Sequence, residues 1–334
     1  MTASPLLRVD DCGLFCEAGG FHIDPWRPVP RAVVSHGHGD HARPGSGAYL
    51  SAASGLPILQ RRLGAEASIE GILFDTPVRI GDVTVSFHPA GHILGSAQVR
   101  VERNGEIWVF SGDYKRAPDP SCEPFEPVRC HTFITEATFA LPIYRWGETA
   151  AVAREILAWW EEGRAAGRAS VLFCYALGKA QRILAALAPL TDRPVWVHGT
   201  VEPLTECYRR AGIEMLPTRL VSETIRGQSF AGELILAPPS AGGSTWMRRF
   251  GPASTAFASG WMRVRGTRRR RGFDRGFEVS DHADWPDLLR TIEETGAERV
   301  LTTHGYADAL ARYLREQGLE AGILSTPFEG ETAD

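Results

Sequence analysis

The sequence predicts an α/β protein in which a strand-rich region is followed by a region of alternating strands and helices. Short apolar runs separated by turn residues fill roughly the first 120 positions, and HTFIT adds a further buried strand. From about Thr149, apolar residues recur at helical spacing, and several segments each show a strand, a loop and a helix. The chain then closes with a helix, a strand and a second helix. At 334 residues, 43% of them hydrophobic, it can form one large domain or two ordinary ones.

Turn residues divide the strand-rich region into hairpins. The pair Gly19-Gly20 separates two apolar runs. The pair Asn104-Gly105 separates VRVE from IWVF, which is a strong signal for a two-residue hairpin turn. The apolar runs RAVV, VTVSF and HTFIT predict further strands in the same region.

The second region favours a parallel sheet. The segment TAAVAREILAWWEEGRAAG has the spacing of a helix that ends in glycine. The segments SVLFCYALGKAQRILAAL and RPVWVHGTVEPLTECYRRAG each predict a strand followed by a helix, and GELILAPPSAGG predicts a strand before a Pro/Gly loop. Because successive strand–helix units place their strands side by side in one direction, we expect parallel pairing here.

Composition excludes several classes of protein. The net charge of −4 means that any surface for nucleic acid must be local. The six cysteines form no CxxC pair, so we expect reduced thiols rather than disulfides. The N-terminus is too short and interrupted for a signal peptide, and no apolar run approaches the ~18 residues of a membrane span. We therefore expect a soluble, cytoplasmic protein without a membrane partner.

A cluster of metal-ligating side chains stands in SHGHGDH, where His36, His38, Asp40 and His41 fall within six positions. Residues two apart in an extended loop point the same way, so His36 and His38 can meet one ion. Asp40 and His41 follow closely and can reach a second ion. The intervening glycines let the loop fold tightly. A polar loop with chance histidines is the alternative, but the clustering favours a metal site.

Three more ligands are predicted at the ends of later strands. His92, Asp113 and His304 each follow an apolar run and stand beside or close to a glycine. A carboxylate such as that of Asp113 can bridge two ions. Imidazole and carboxylate ligands together suit zinc, manganese or iron, so we expect two divalent metal ions, zinc or manganese. Such a pair activates a water at neutral pH and neutralises charge on a reacting phosphate.

Further motifs carry a resemblance to a known family. Glu136 stands in ITEATF, His282 in VSDHADW and His304 in TTHGY, and residues 175–181 read YALGKAQ. With the ligand cluster, these motifs resemble the metallo-β-lactamase superfamily, and within it the β-CASP nuclease branch. Over nearly the whole chain, including APPSAGGSTWMRRFG and FASGWMRVRGTRRRRGFD, the sequence resembles most closely the bacterial DNA-ligase-associated exonucleases.

The resemblance implies a fold and a set of roles. Residues 1–145 and 280–334 would form a metallo-β-lactamase four-layer αββα sandwich, and residues 146–279 an inserted β-CASP α/β cap domain. One ion would be held by His36, His38, His92 and Asp113, and the other by Asp40, His41, Asp113 and His304. Glu136 would orient a ligand histidine, and His282 would act as general acid. The predicted catalytic residues are thus Asp40, Glu136 and His282; the alternative is a helix cap or a surface acid for Glu136 and a capping residue for His282.

The implied function is a metal-dependent DNA exonuclease that acts on free ends in repair, alongside a DNA ligase and a helicase. One feature favours RNA instead, because a histidine at the position of His304 accompanies RNA-processing members of the branch. The alternative is therefore an RNA-processing endo- or exoribonuclease. A thioester or lactam hydrolase would lack the insert and its arginines, and a non-catalytic scaffold would lack ligands that this chain retains.

Several residues are candidates for binding the nucleic-acid backbone. Loop residues near predicted strand ends could hold a phosphate: Ser96, Lys115, Ser240, Gly242 and Gly243. A run of arginines before His282 predicts contact with phosphates, against the alternative of a solvated face: Arg263, Arg265, Arg268, Arg269, Arg270, Arg271 and Arg275. Stacking on unpaired bases and packing in the core are both open for Trp246, Phe250 and Trp261.

Overall fold

The computed structural model describes residues 5–225, 227–264 and 272–325. The chain divides into two compact units. The first unit runs up to Pro118, includes Cys122–Arg145 and resumes at His282, and the second comprises Asp119–Ser121 and Trp146–Asp281. Within the described ranges, no helix has the length and apolar character that a membrane crossing requires.

Strands and helices follow one another in this order. The strands are β1 (Arg8–Val9), β2 (Leu14–Cys16), β3 (Phe21–Ile23), β4 (Arg31–Val33), β5 (Ala48–Ala52), β6 (Ile69–Ile72), β7 (Val78–Ile80), β8 (Val83–Pro89), β9 (Ala97–Arg103), β10 (Glu106–Phe110), β11 (Thr132–Glu136), β12 (Ala169–Phe173), β13 (Val195–Val197), β14 (Thr218–Leu220), β15 (Leu234–Ala237), β16 (Ala253–Ala258), β17 (Arg275–Phe277), β18 (Arg299–Thr303) and β19 (Glu320–Ile323). The α-helices are α1 (Leu56–Leu63), α2 (Thr149–Ala165), α3 (Lys179–Leu187), α4 (Glu202–Arg210), α5 (Trp285–Thr295) and α6 (Ala307–Glu316).

The first unit contains two sheets. One has the order β1-β2-β3-β4-β5-β6, with antiparallel pairing up to β3 and parallel pairing from there on. The other has the order β19-β18-β11-β10-β9-β8-β7. Its pairing is parallel from β19 to β10 and antiparallel from β10 to β7. The two sheets share one apolar core.

Alternation along the strands gives each sheet two apolar faces. In β4, Val33 belongs to the core between the sheets, while its neighbour Ala32 belongs to a cluster that includes Leu59 of α1. In β10, Trp108 faces the shared core, while Val109 belongs to a cluster that includes α5 and α6. Because successive side chains of a strand point to opposite faces, each sheet is covered by the other sheet on one side and by helix on the other.

The second unit is built on one sheet of six parallel strands, in the order β14-β13-β15-β12-β16-β17. One of its apolar clusters takes in side chains of α2 and α3, and the other includes Phe173, Phe250 and Phe257. All four residues of β15 are buried, as expected for a parallel strand that is covered on both faces. The predicted parallel α/β arrangement is confirmed.

Local predictions from turn and helix signals are confirmed as well. Asn104 and Gly105 connect β9 to β10, which pair antiparallel with Arg103 opposite Glu106. Gly19-Gly20 lies between β2 and β3, which are also antiparallel. The helix predicted from Thr149 is α2. The mixed α/β class of the chain is therefore established.

Burial of α5 yields a test of the first unit. Leu288 is fully buried in the cluster beneath this helix, whereas its neighbour Leu289 is only half-buried. We expect Leu288→Ala to lower the free energy of unfolding by about 3 kcal/mol, because it leaves a cavity. Leu289→Ala is the matched control and should cost clearly less. Urea denaturation followed by circular dichroism measures both, and equal losses would contradict the packing described.

Candidate metal centre

The predicted ligands lie where strands of the first unit end. Since β9 is antiparallel to both β8 and β10, β11 is parallel to β10 and β18 is parallel to β11, the strands β8, β10, β11 and β18 of this sheet point the same way. Their carboxyl ends therefore meet at one edge. These ends supply or lead into His92, Asp113, Glu136 and His304, while β4 of the other sheet leads into His36.

Three ring nitrogens converge in the first group of ligands. His38 Nδ1 lies 3.1 Å from His36 Nε2 and 3.0 Å from His92 Nε2. Asp113 completes the group, with its Oδ2 3.6 Å from His36 Nε2 and 3.7 Å from His92 Nε2. The four ligand atoms all lie within 4.8 Å of one another.

A divalent cation fits this group. Nitrogen ligands of tetrahedral zinc, at about 2.0–2.1 Å from the ion, lie about 3.3 Å apart, close to the separations seen here. Hydrogen bonds between the rings do not explain why the three nitrogens lie so close together. A proton on His38 Nδ1 can be donated well to only one of the two neighbouring rings. Burial, together with His41 and His92, holds the pKa of His36 well below its ordinary value. His36 is therefore neutral, which is the form that binds a metal ion.

Asp113 also faces a second group of ligands. Its Oδ2 lies 3.4 Å from His41 Nε2, and its Oδ1 lies 3.9 Å from His304 Nδ1. Asp40 is the more exposed member of this group, and its Oδ2 lies 3.7 Å from His41 Nε2. The Asp113 carboxylate thus lies between both predicted groups, where a ligand shared by two ions is expected.

The charges of the second group favour a cation. Burial opposes protonation of His41, but Asp113, Asp40 and Asp24 outweigh it and raise the pKa of His41 well above its ordinary value. Burial works against ionisation of Asp113 too, yet nearby His41 keeps the pKa of that carboxyl well below its usual range. Burial lowers the pKa of His304, which favours its neutral form. A metal ion would supply the positive charge that the proton on His41 otherwise provides.

Asp24 is a functional candidate that the sequence predictions missed. Its Oδ2 accepts hydrogen bonds from His41 Nδ1 at 2.7 Å and from the Ser35 hydroxyl at 2.5 Å. Since that hydroxyl donates to Asp24, it can accept from His36 Nδ1 at 3.0 Å. With a metal ion in place of the His41 proton, both rings would turn an unprotonated Nε2 towards Asp113. The available signal was the position of Asp24 directly after the apolar strand β3, like the other ligands.

Glu136 pairs with the predicted general acid. Its Oε2 accepts a hydrogen bond from His282 Nδ1 at 2.9 Å, and its Oε1 accepts one from the Tyr114 backbone N–H at 2.8 Å. Burial raises the pKa of Glu136, and the adjacent His282 counteracts part of that rise. The ring of His282 lies 4.7 Å from that of His92, centre to centre. The ring held by this carboxylate is that of His282, and the expectation that Glu136 orients a ligand histidine stays a prediction.

Close backbone approaches hold two of the ligand loops. Gly91 precedes His92 with φ +72°, and a Cβ there would lie 2.2 Å from the carbonyl oxygen of Lys115. Only glycine fits this position. His304 itself has φ +60°, an unusual conformation for a residue with a side chain. Strained backbone of this kind is often found where a side chain is held for function.

Two predicted phosphate-binding residues lie close to His92 in the structure. The Ser96 hydroxyl accepts hydrogen bonds from the backbone N–H groups of His92 at 3.0 Å and of Ile93 at 3.2 Å. Ser96 thus organises the His92 loop. Lys115 is 5% exposed, and its backbone N–H donates to the carbonyl of Ala90. A phosphate contact by either residue stays a prediction.

The other substrate-binding predictions fall in the second unit. Ser240 and Gly243 are exposed and Gly242 is half-buried in the loop after β15. Arg263 is exposed and forms an ion pair with Glu278 at 3.2 Å. Five predicted contacts lie outside the described residues: Arg265, Arg268, Arg269, Arg270 and Arg271.

Core packing is the better account of three aromatic residues in this unit. Phe250 is buried, and half-buried Trp246 and Trp261 pack against the same cluster. The rings of Trp246 and Phe250 lie 4.7 Å apart in an edge-to-face arrangement. Of the two alternatives for these residues, the structure favours packing over base stacking.

Sequence comparisons relate the chain to three kinds of protein. No protein-family model matches it. It is 36% identical over 338 residues to a protein of Opitutus terrae named "Probable DNA ligase", covering 96% of this chain and 32% of that protein. It is 32% identical over 133 residues to Endoribonuclease YSH1 of Gibberella zeae and 24% identical over 135 residues to an RNase J-like protein of Methanocaldococcus jannaschii.

The extent of these matches differs. The match to the Gibberella protein covers 38% of this chain and 16% of that protein. The match to the Methanocaldococcus protein covers 38% of this chain and 32% of that protein. The chain thus spans a third or less of the length of these relatives. A crystal structure of a protein of unknown function from Enterococcus faecalis V583 is similar with a TM-score of 0.61 and 12% identity, covering 90% of this chain and 80% of that one. This last likeness concerns the fold alone.

The cluster of ring nitrogens yields a test of metal binding. We expect His92→Ala to lower the metal content of the purified protein by about one ion per chain, since the first group loses one of its nitrogen ligands. The control is His88→Ala on β8, the strand that leads into His92, because His88 pairs with Asp75 outside the site at 2.6 Å. Elemental analysis after dialysis measures both variants. Full metal content in His92→Ala would contradict the assignment.

The hydrogen bonds of Asp24 yield a second test. We expect Asp24→Asn to weaken metal affinity about 10–100-fold, because His41 loses the acceptor that fixes its orientation. The matched control is Asp10→Asn, since Asp10 pairs with His22 at 3.0 Å on the same sheet. Competition with a chelating dye gives the affinities. Equal affinity in both variants would show that Asp24 does not orient a ligand.

Proposed function

We propose that this chain is a metal-dependent nuclease of the metallo-β-lactamase superfamily, β-CASP branch, which hydrolyses phosphodiester bonds of DNA as an exonuclease. The first unit would be the metallo-β-lactamase αββα sandwich, and residues 146–279 the β-CASP domain. The function would be repair on DNA with a free end, in association with a DNA ligase and a helicase. The similarity to the Opitutus protein along 96% of the chain supports the ligase association.

One observation carries the proposal. The buried carboxylate of Asp113 lies between two histidine groups, which approach it from strand ends of both sheets. A structural zinc site needs four ligands around one ion. Here six candidate ligands surround the shared carboxylate of Asp113, as two-ion hydrolases require. Bound there, two zinc or manganese ions would supply an activated water and offset the charge that grows on phosphate.

We assign protonation of the leaving group to His282. A departing sugar oxygen needs a proton, and imidazole is the usual donor near neutral pH. With Nδ1 hydrogen-bonded to Glu136, we assign that proton to Nε2 of the ring. The negative charge of Glu136 stabilises the protonated ring and fixes its plane. Asp24 likewise accepts a hydrogen bond from His41, so these two histidines each have a buried carboxylate behind them.

A ribonuclease is the second candidate. It is favoured by His304 in the motif TTHGY and by the similarity to proteins named Endoribonuclease YSH1 and RNase J-like. These similarities extend over 38% of the chain, whereas that to the "Probable DNA ligase" extends over 96%. The longer match favours DNA.

Cleavage of matched oligomers tests the proposal. Single-stranded DNA and RNA of one sequence, labelled at either end, are incubated with protein that has been stripped by a chelator and reloaded with Zn²⁺ or Mn²⁺. We expect stepwise shortening of DNA from one end, no activity without metal, and a rate at least about 100-fold lower in Asp40→Ala. Asp82→Ala, which changes an exposed carboxylate on the β7–β8 turn, is the control.

Each other outcome has a definite meaning. Internal cuts in RNA with DNA spared would assign the chain to RNA processing. Cleavage that persists in Asp40→Ala would remove that residue from the site. No cleavage of either polymer by metal-loaded protein would contradict the proposed nuclease.

A further inference from the structure

Two buried, positively charged side chains lie on α3 in the second unit, close to the start of the helix. Lys179 Nζ lies 2.9 Å from Asp281 Oδ1, and Arg182 Nε lies 2.8 Å from Asp119 Oδ2. Arg182 also donates from Nη1 to the backbone carbonyl of Ser280 at 2.8 Å. All four charged side chains are at most 2% exposed.

Stability alone does not account for such a network. Taking charges out of water costs more than most buried ion pairs return, and apolar residues of similar volume often stabilise a fold as well or better. What buried pairs can add is a single defined arrangement of the segments they join. Here the joined segments are the beginning of α3, the short stretch Asp119–Ser121, and Ser280 with Asp281.

The last of these segments leads directly into His282. Ser280 is held through its carbonyl and Asp281 through its side chain, so both residues before His282 are fixed. The second unit holds all of these contacts, and the next peptide bond begins the segment that contains the proposed general acid.

We propose that Lys179 and Arg182 are positioning residues for His282, which they orient by fixing Ser280 and Asp281. This proposal rests on the proposed nuclease function, in which His282 gives its proton to the departing sugar oxygen. A base or ligand role is excluded for these two side chains, because both are buried against their own carboxylates.

Dependence on the leaving group separates positioning from general damage. The test compares single-stranded DNA with thymidine 5′-monophosphate p-nitrophenyl ester, whose p-nitrophenolate departs without needing a proton. The key variant is Arg182→Lys, which keeps a charge for Asp119 but has no second nitrogen for the Ser280 carbonyl. The matched control is Arg209→Lys, since Arg209 likewise contacts a carboxylate, that of Glu202, and a backbone carbonyl, that of Leu216.

We expect Arg182→Lys to lower kcat on DNA about 10–100-fold with KM unchanged, because a misplaced acid loses much of its contribution. Hydrolysis of the p-nitrophenyl ester should stay within about 3-fold of wild type. His282→Ala should show the same selective loss, and Arg209→Lys should show none. The double variant Lys179→Met with Asp281→Leu replaces the other ion pair by apolar groups without leaving a buried charge alone. It should also lose DNA cleavage selectively.

Hydrogen–deuterium exchange of residues 278–284 gives a readout that needs no activity. We expect faster exchange in Arg182→Lys than in wild type, and no change in Arg209→Lys. Unchanged exchange, equal losses on both substrates, or full DNA cleavage in Arg182→Lys would each overturn the positioning role. If metal-loaded wild type cleaves neither substrate, the proposed function fails, while the exchange data still decide whether these side chains fix the segment.

Discussion

The candidate metal centre depends on the carboxylate of Asp113. It is the only predicted ligand whose oxygens face both histidine groups. Its strand, β10, is the fourth of seven in its sheet, so its end is held by pairing on both sides. A buried carboxylate is stable only with opposite charge close by. The histidines on neighbouring strand ends, and the cations that they can hold, meet this requirement.

A second layer of hydrogen bonds sets the direction of each ring. The Asp24 carboxylate accepts a hydrogen bond from His41, and the Ser35 hydroxyl accepts one from His36. The Glu136 carboxylate accepts one hydrogen bond from His282 and another from the Tyr114 backbone N–H. These acceptors follow or end strands, as the ligands do. The stacking of the two sheets therefore positions both the predicted ligands and the groups that orient them.

The buried ion pairs of the second unit obey a different constraint. Lys179 and Arg182 are costly to bury, and each contacts a residue next to a point where the chain passes from one unit to the other. Apolar contacts tolerate small shifts, whereas a charge-assisted hydrogen bond holds its partner in one place. A general acid, the role proposed for His282, works only within a narrow range of positions, so this kind of contact suits the residues before it.

The sequence by itself predicted local features of the protein: a hairpin turn, a helix and a cluster of metal ligands. Asn104-Gly105 determined a hairpin because few other pairs adopt that turn, helical spacing determined α2, and the crowding of His36, His38, Asp40 and His41 predicted a metal site. The pairing of Glu136 with His282, the role of Asp24 and the packing of Trp246 and Phe250 were decided only by the tertiary structure. These contacts join residues up to 146 positions apart. Only the stacking of sheets and helices selects among the many such partners that residue type alone allows.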